Sequence, residues 1–345
     1  MRIGIGTSIV GGGFIGTSAP ATEYLDQIEG AGTPTAAYSV DKVVSTYTDA
    51  VVEVRRTVSA VTVEADVAFD GDTITLDSAV TITSGSSSAT TLGEFVAASG
   101  YTDPDSLGSP QDAFVATWYD QAGSNDATQI VGDYQPQIVS AGALVTENGK
   151  VALDFDGVDD YLEPTITGFQ SISNLSTFSV ITPAAAAAAD TPTMTIWSFG
   201  QIGGSVDRTL NLTSVTGALS NEKIVIPFEN GTARRLGSST YSRSTNEQSL
   251  IDSFHLSTGT SLFSQGSEIT LNLSAGMTTS TAAAPSNTGY TTDDKVQIGA
   301  AFLNGVGVVA FEQEKFQELI IYNSDKSALR TAIEGNINGR FNIYP

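Results

Sequence analysis

Residues 114–129 read FVATWYDQAGSNDATQ. The first half carries aromatic and β-branched residues that fit a pleated, half-buried strand. The second half is turn chemistry. Asp120 stands where its carboxylate can accept backbone N–H groups of the following turn, and Gly123 supplies a conformation that a β-carbon disfavours. A strand that ends in an acid-fixed turn is expected. Trp118 and Tyr119 then belong to the core and its seam, or offer a platform to a sugar.

The same grammar recurs on both sides of this stretch. VVEVRRTV (51–58), VTVEADVAF (61–69), TITLDSAVTIT (73–83), VALDFDG (151–157), FSVITP (178–183), TMTIWSFG (193–200), KIVIPFEN (223–230), EITLNLSA (268–275), KVQIGAAF (295–302) and FQELIIYN (316–323) are short and strand-like. Gly, Asn, Asp and Ser separate most of them, as between strands. Many short strands and few helices imply an all-β sandwich. AYSVDKVVSTYT (37–48) allows a helical start, and LGEFVAASG (92–100) reads as one or two helical turns. TPAAAAAADTP (182–192) is a loop or short helical cap. At the C-terminus Leu329, Ile333 and Ile337 form one apolar stripe, with Asn323 and Ser324 as caps and Gly339 as the stop. No repeat of 20–50 residues appears, which argues against a solenoid.

Composition narrows the function. The 345 residues are 40% hydrophobic, enough for a real core, and only 15% charged. Acidic side chains outnumber basic ones by 38 to 15, a net charge of −23. Such a surface repels phosphates and anionic membranes, so neither nucleic acid binding nor membrane insertion is expected. There is no Cys, which removes disulfides and thiolate chemistry. The start, MRIGIGTSIVGGGFIGTSAPA, lacks the unbroken apolar run of a signal peptide, so export by that route is not expected. Residues 1–36 stand apart as a Gly-rich arm, with a short helical piece at ATEYLDQIEG. The arm either adds a strand to a neighbour's sheet edge or is a strand of this chain's own sandwich. Residues 37–345 form the sandwich domain in this reading.

Most catalytic constellations are absent. The single His, His255, lies in an apolar-flanked strand and reads as structural. One His excludes His-rich metal sites and leaves little for a Ser-His-Asp triad. VGGGFIG lacks the Lys of a phosphate loop. The pairs Arg55-Arg56 and Arg234-Arg235 read as ion-pairing groups. In DFDGVDDYL, Asp156-Gly157 makes a turn, with Phe155 and Tyr161 pointing inward. Asp156, Asp159 and Asp160 are weak Ca²⁺ candidates, although turn chemistry alone explains them.

Three segments carry a family likeness: VVSTYTDAVVEVRR followed by VAFDGDTITLD, then FVATWYDQAGSNDATQ, then NGKVALDFDGVDDYL. In this order they resemble the catalytic domain of the arabinofuranosidase B family, glycoside hydrolases with a concanavalin A-like jelly roll. FQELIIYNSDKSALRTAIEGNI is similar to the closing strand and helix of concanavalin A-like (laminin-G-like) domains. The same cluster resembles segments of bacteriophage virion structural proteins. The resemblance runs from Ala36 to the C-terminus. It implies a catalytic nucleophile at Glu229, followed by Asn230, in KIVIPFENGTARR. It places Ala301 of VQIGAAFLNG where the family has its acid, with Asp293 and Asp294 as substitutes upstream. A retaining glycosidase needs both carboxyl groups.

The expectation drawn from this is a non-enzymatic structural protein of a tailed phage: a tail fibre or spike, a head fibre or a capsid decoration. It would be displayed on the virion surface, docked to other virion proteins through residues 1–36, and be a homo-oligomer such as a trimer. No cofactor is expected. Trp118, Tyr119, Asp120, Glu229 and Asn230 are the candidates for touching a host-surface glycan. The alternatives are an arabinofuranosidase-like hydrolase of host surface polysaccharide with Glu229 as nucleophile, and an extracellular lectin.

Overall fold

The computed structural model describes residues 24–165, 174–183, 194–200, 207–214, 222–228, 232–236, 248–256, 259–265, 296–303, 307–309, 311 and 313–345. The chain is an all-β sandwich with one helix of more than a single turn among these residues. Its principal strands are β1 (Ala36–Ser39), β2 (Val52–Val58), β3 (Val61–Val67), β4 (Val80–Ser84), β5 (Ala113–Trp118), β6 (Gln137–Ser140), β7 (Leu153–Asp156) and β8 (Leu175–Pro183). They continue as β9 (Met194–Gly200), β10 (Asp207–Ser214), β11 (Glu222–Phe228), β12 (Thr232–Leu236), β13 (Ser249–Leu256), β14 (Gly259–Gln265), β15 (Val296–Ile298) and β16 (Gln313–Tyr322). The helices are α1 (Leu92–Phe95) and α2 (Arg330–Phe341).

The large sheet runs β14-β13-β8-β16-β7-β6-β5-β2-β3-β4, and the smaller one β12-β11-β10-β9-β15. All strand pairings among the described residues are antiparallel, as short turn-linked strands allow. β16 is the spine. β8 lies along one side of it, and β1 and β7 share the other, with Ala36 opposite Ile321 and Leu153 opposite Phe316. Its ten residues are almost all buried, as expected of a strand between two neighbours and under a helix.

One core joins both sheets. Trp118, Phe155, Phe316 and Tyr38 come from the large sheet, and Ile196, Trp197 and Ile298 from the small one. Trp118 packs edge-on against Phe316, with ring centroids 6.0 Å apart. The alternation in VEVRRTV is visible in the result: Val52, Val54 and Arg56 point in, while Glu53 and Arg55 are only half-buried. Arg56 is inward yet charged, and it pairs with Asp105 while donating to the Phe95 carbonyl.

Several local expectations change. AYSVDKVVSTYT contains no helix: Ala36–Ser39 is drawn into a strand by β16. In TITLDSAVTIT only the second half is strand; Ile74 is buried in an irregular segment before it. KVQIGAAF breaks at Gly299, whose φ of +82° ends β15 and separates it from Ala301–Leu303. Gly339 does not stop α2. The helix continues to Phe341 and ends at Asn342, in the left-handed conformation that Asn tolerates. Its cap position is Leu329, preceded by a 3₁₀ turn at Ser327–Leu329, rather than Asn323 or Ser324. The boundary at residue 36 falls inside the fold. Leu25 and Ile28 are in the core, and the Leu25 N–H donates to the Val43 carbonyl at 2.9 Å. Residues 1–23 and 184–193 lie outside the described residues. No helix among the described residues is long and apolar enough to cross a membrane.

Helix α2 is fastened to the spine through a buried charge pair. The Arg340 guanidinium donates to both Glu318 oxygens, one of them at 2.9 Å, and the Ser39 hydroxyl donates to the same carboxylate at 2.7 Å. Arg340→Leu leaves Glu318 buried without its cation, and urea unfolding should show a loss of about 3–5 kcal/mol. The double variant with Glu318→Leu should recover much of it. Equal losses in the single and double variants would contradict this role.

Candidate functional site

The turn after β5 builds the first cluster. Asp120 is buried, and its Oδ1 accepts the N–H of Ala37 at 2.8 Å and of Ala122 at 2.9 Å. Its Oδ2 accepts the Asn125 N–H at 3.2 Å and the Asn125 side-chain amide at 2.9 Å. Gly123 is needed here for space rather than for φ: an added β-carbon would come within 3.0 Å of Asp120 Oδ2. Trp118 is fully buried and presents no face to solvent. Tyr119 is half-buried and donates to Asp66 at 2.6 Å. This geometry assigns Trp118 and Asp120 internal work. Of the predicted glycan contacts, Glu229 and Asn230 lie outside the described residues, as do Asp293 and Asp294. Ala301 is fully buried at the start of its strand. His255 lies in β13, opposite Leu175.

A second cluster opens to solvent. Across the outer face of the large sheet, Arg55 pairs with Phe114, Phe114 with Gln137, Gln137 with Asp154, and Asp154 with Lys315. Directly opposed residues share a face, so these side chains form one row across five strands. The neighbours Val54, Val115, Ile138, Leu153 and Phe316 point the other way into the core. Arg55, Phe114, Gln137 and Asp154 of this row floor a cleft of about 390 Å³. The loops 129–136 and 156–161 form its wall. They are cross-braced by Tyr161 N–H to the Tyr134 carbonyl at 3.1 Å and by the Gln129 amide to the Tyr161 carbonyl at 3.3 Å. Tyr161 is not in the core as expected: it is half-buried on this wall, its ring 6.2 Å from that of Tyr134. Arg55 holds the other loop through Gln135 Oε1 and the Gly132 carbonyl.

Three carboxylates sit at one end of the cleft wall. Asp156, Asp159 and Asp160 bring oxygens within 4.8 Å of one another. The turn uses some of them. Asp156 Oδ1 accepts from Val158 at 2.7 Å and Asp159 at 3.2 Å, and Asp160 Oδ2 accepts from Asp156 at 2.9 Å. Gly157 has φ +75° and lies where a β-carbon would meet Gln313 at 2.6 Å, so this turn requires glycine. Calcium needs six to eight oxygens, and these three side chains by themselves fall short of that shell. Burial, followed by the nearby Asp156 and Asp159 charges, pushes the Asp160 carboxyl up to about 7. Asp154 is also raised, chiefly by burial, although Lys315 opposes the shift. The sequence pointed to the acidic turn but not to the row, whose members come from five separate strands and meet only through strand register.

No protein-family profile matches the sequence, and no curated protein matches it. Solved structures do. One is a glutamate-to-glutamine variant of a GH54 α-L-arabinofuranosidase soaked with 4-nitrophenyl α-L-arabinofuranoside: 15% identity over 88% of this chain and 62% of that one, TM-score 0.52. A second is a GH54 α-L-arabinofuranosidase soaked with a cyclic sulfate inhibitor, at 16% identity, the same coverages and a TM-score of 0.51. A Trypanosoma rangeli sialidase matches at 14% identity over 63% of this chain and 30% of that one, with a TM-score of 0.39. The chain spans 62% of the length of the two arabinofuranosidases. At these identities the likeness shows the fold, a β-sandwich shared with glycoside hydrolases. The expectation of a non-enzymatic chain is therefore corrected. It rested on Ala301 at the family's acid position, and two solved structures that share the fold over 88% of the chain are glycoside hydrolases.

Two measurements check the site's chemistry. Asp120→Ala strands buried N–H donors of Ala37, Ala122 and Asn125 and should cost about 3 kcal/mol or more in urea unfolding; Asp120→Asn, which keeps one acceptor, should cost less. For Asp160 the folded pKa lies above the ordinary carboxylate value, so its contribution to stability is full below about pH 4 and is lost as pH rises to about 7. Asp160→Asn should raise stability at pH 8 by on the order of 1 kcal/mol and flatten the thermal pH profile between those values. An unchanged profile would contradict the raised pKa.

Proposed function

We propose that this chain acts on carbohydrate, as an arabinofuranosidase-like glycoside hydrolase directed at surface polysaccharide. The observation that carries the reading is the common fold with two GH54 arabinofuranosidases over 88% of the chain. The sequence supports it with Glu229-Asn230, which directly follow the last residue of β11 in the chain. In this reading Glu229 attacks the anomeric carbon and forms a glycosyl-enzyme, while an acid protonates the departing oxygen; water then releases the sugar. The acid is not supplied by Ala301. A general acid at neutral pH needs a raised pKa, and Asp160, on the wall of an open cleft, meets that requirement. The backbone bridge between Leu162 and Ile298 ties the Asp160 loop to the QIGAA segment, where the resemblance puts the family's acid.

The setting we propose is the surface of a phage particle, on the strength of the phage-like motif cluster and the acidic, Cys-free composition. Docking would fall to the part of residues 1–36 that precedes the packed segment starting at Tyr24.

Hydrolysis of 4-nitrophenyl α-L-arabinofuranoside decides the reading. The wild type should turn over and Glu229→Gln should lose activity by at least about a thousandfold, typical of losing a covalent nucleophile. Activity should fall as pH rises through about 7, because the acid must hold its proton. No turnover by the wild type at high concentration removes the hydrolase.

A further inference from the structure

The cross-strand row has properties that the turn and the core do not explain. Among the described residues, the side chains of Gln137 and Asp154 have no hydrogen-bond partner in the protein, although both are half-buried. A half-buried amide and carboxylate with unused hydrogen-bonding capacity cost free energy unless water or a ligand completes them. Beside them lies an apolar surface, the Phe114 ring, with the Arg55 guanidinium 5.1 Å from its centroid. Each wall loop also carries an exposed apolar side chain, Ile130 at 94% and Val158 at 67%. Planar polar groups aligned next to apolar surface are the complement of a sugar ring, which offers hydroxyl edges and C–H faces. The cleft's volume of about 390 Å³ is at the small end for ligand sites, suited to one or two rings.

We propose that this cleft, across β2, β5, β6 and β7, binds a neutral saccharide, with Gln137 and Asp154 taking the hydroxyl groups and Phe114 the ring. The choice of ligand class rests on the carbohydrate reading above. Charge narrows it further. Asp133, Asp154 and Asp156 bring three carboxylates to the cleft beside Asp160, against one cation of the lining, Arg55, which is hydrogen-bonded within the wall. Arg55 is spent on Gln135, Thr57 and Gly132, and Lys315 on the Thr146 carbonyl and Glu147. Uronate- or sialate-bearing glycans are therefore repelled, while hydroxyl groups, which donate to carboxylates, are accepted. The row is held by strands rather than by loops, so the contacting atoms are preorganised.

Isothermal titration of the full chain with a neutral 1,5-linked arabinotriose, and separately with sialyllactose, tests this. Saturable binding of arabinotriose is expected, with affinity falling about tenfold or more in Gln137→Ala and, independently, in Asp154→Asn, both at wild-type melting temperature. No binding of sialyllactose is expected. Absence of arabinotriose binding, undiminished binding by both folded variants, or a preference for sialyllactose would overturn the proposal. So would arabinotriose binding that EDTA abolishes, since the contacts would then run through a cation. A wild type that binds arabinotriose without cleaving aryl arabinofuranoside supports the cleft and fails the hydrolase reading, so the two fail separately.

Discussion

The Asp120 carboxylate ties the turn after β5 to the strand beside the spine of the sandwich. It accepts N–H groups from its own turn and one from Ala37 in β1, a strand more than eighty residues earlier in the chain. Through Ala37 it fixes β1 against the spine β16, and through the turn it sets where β5 ends. Gln121 extends the tie: its amide donates to the Ser39 and Asp41 carbonyls and accepts from the Val43 N–H. A buried carboxylate is tolerable only when its lone pairs are filled in this way. Once β5 is anchored, the bulge at Ala116, where its register against β2 shifts, settles the facing. Val115 and Trp118 both face the core, and Phe114 faces the cleft.

Much of this frame was legible because it is local. The strands around Val54, Val115, Phe155 and Ile320 declare themselves by alternation and β-branching, and the Asp120 turn by its residue types. Misreadings arose where tertiary context overrode local preference. Ala36–Ser39 was pulled into a strand by β16, although its sequence allows a helix. Gly339 stayed helical because Ile337 and Phe341 on either side of it are buried against the sheet. Gly123 was correctly singled out for the wrong reason: the constraint is the nearby Asp120 oxygen and not the backbone angle. The cleft row could not be read at all. Arg55, Phe114, Gln137 and Asp154 lie on four strands well apart in the sequence, and only the register of those strands sets them side by side.

Trp118 and Phe114 show how one strand divides its labour. Of the two roles the sequence left open for Trp118, it takes the core one, packed on Phe316, while the less conspicuous Phe114 lines the open face. The acidic turn shows the same division. Asp156 and Asp160 serve the turn through their hydrogen bonds, and the burial this entails is what lifts the Asp160 carboxyl toward neutrality. A structural requirement thus creates a chemically useful group at the edge of a cleft, where a protonated carboxyl can face a ligand.

The central claim is that the outer-face cleft meets carbohydrate. A crystal structure of the chain soaked with a neutral arabino-oligosaccharide tests it most directly. The account predicts a sugar ring lying along Phe114 with hydroxyl groups on Gln137 and Asp154. Sugar density elsewhere on the molecule, with this cleft holding only water, would contradict it.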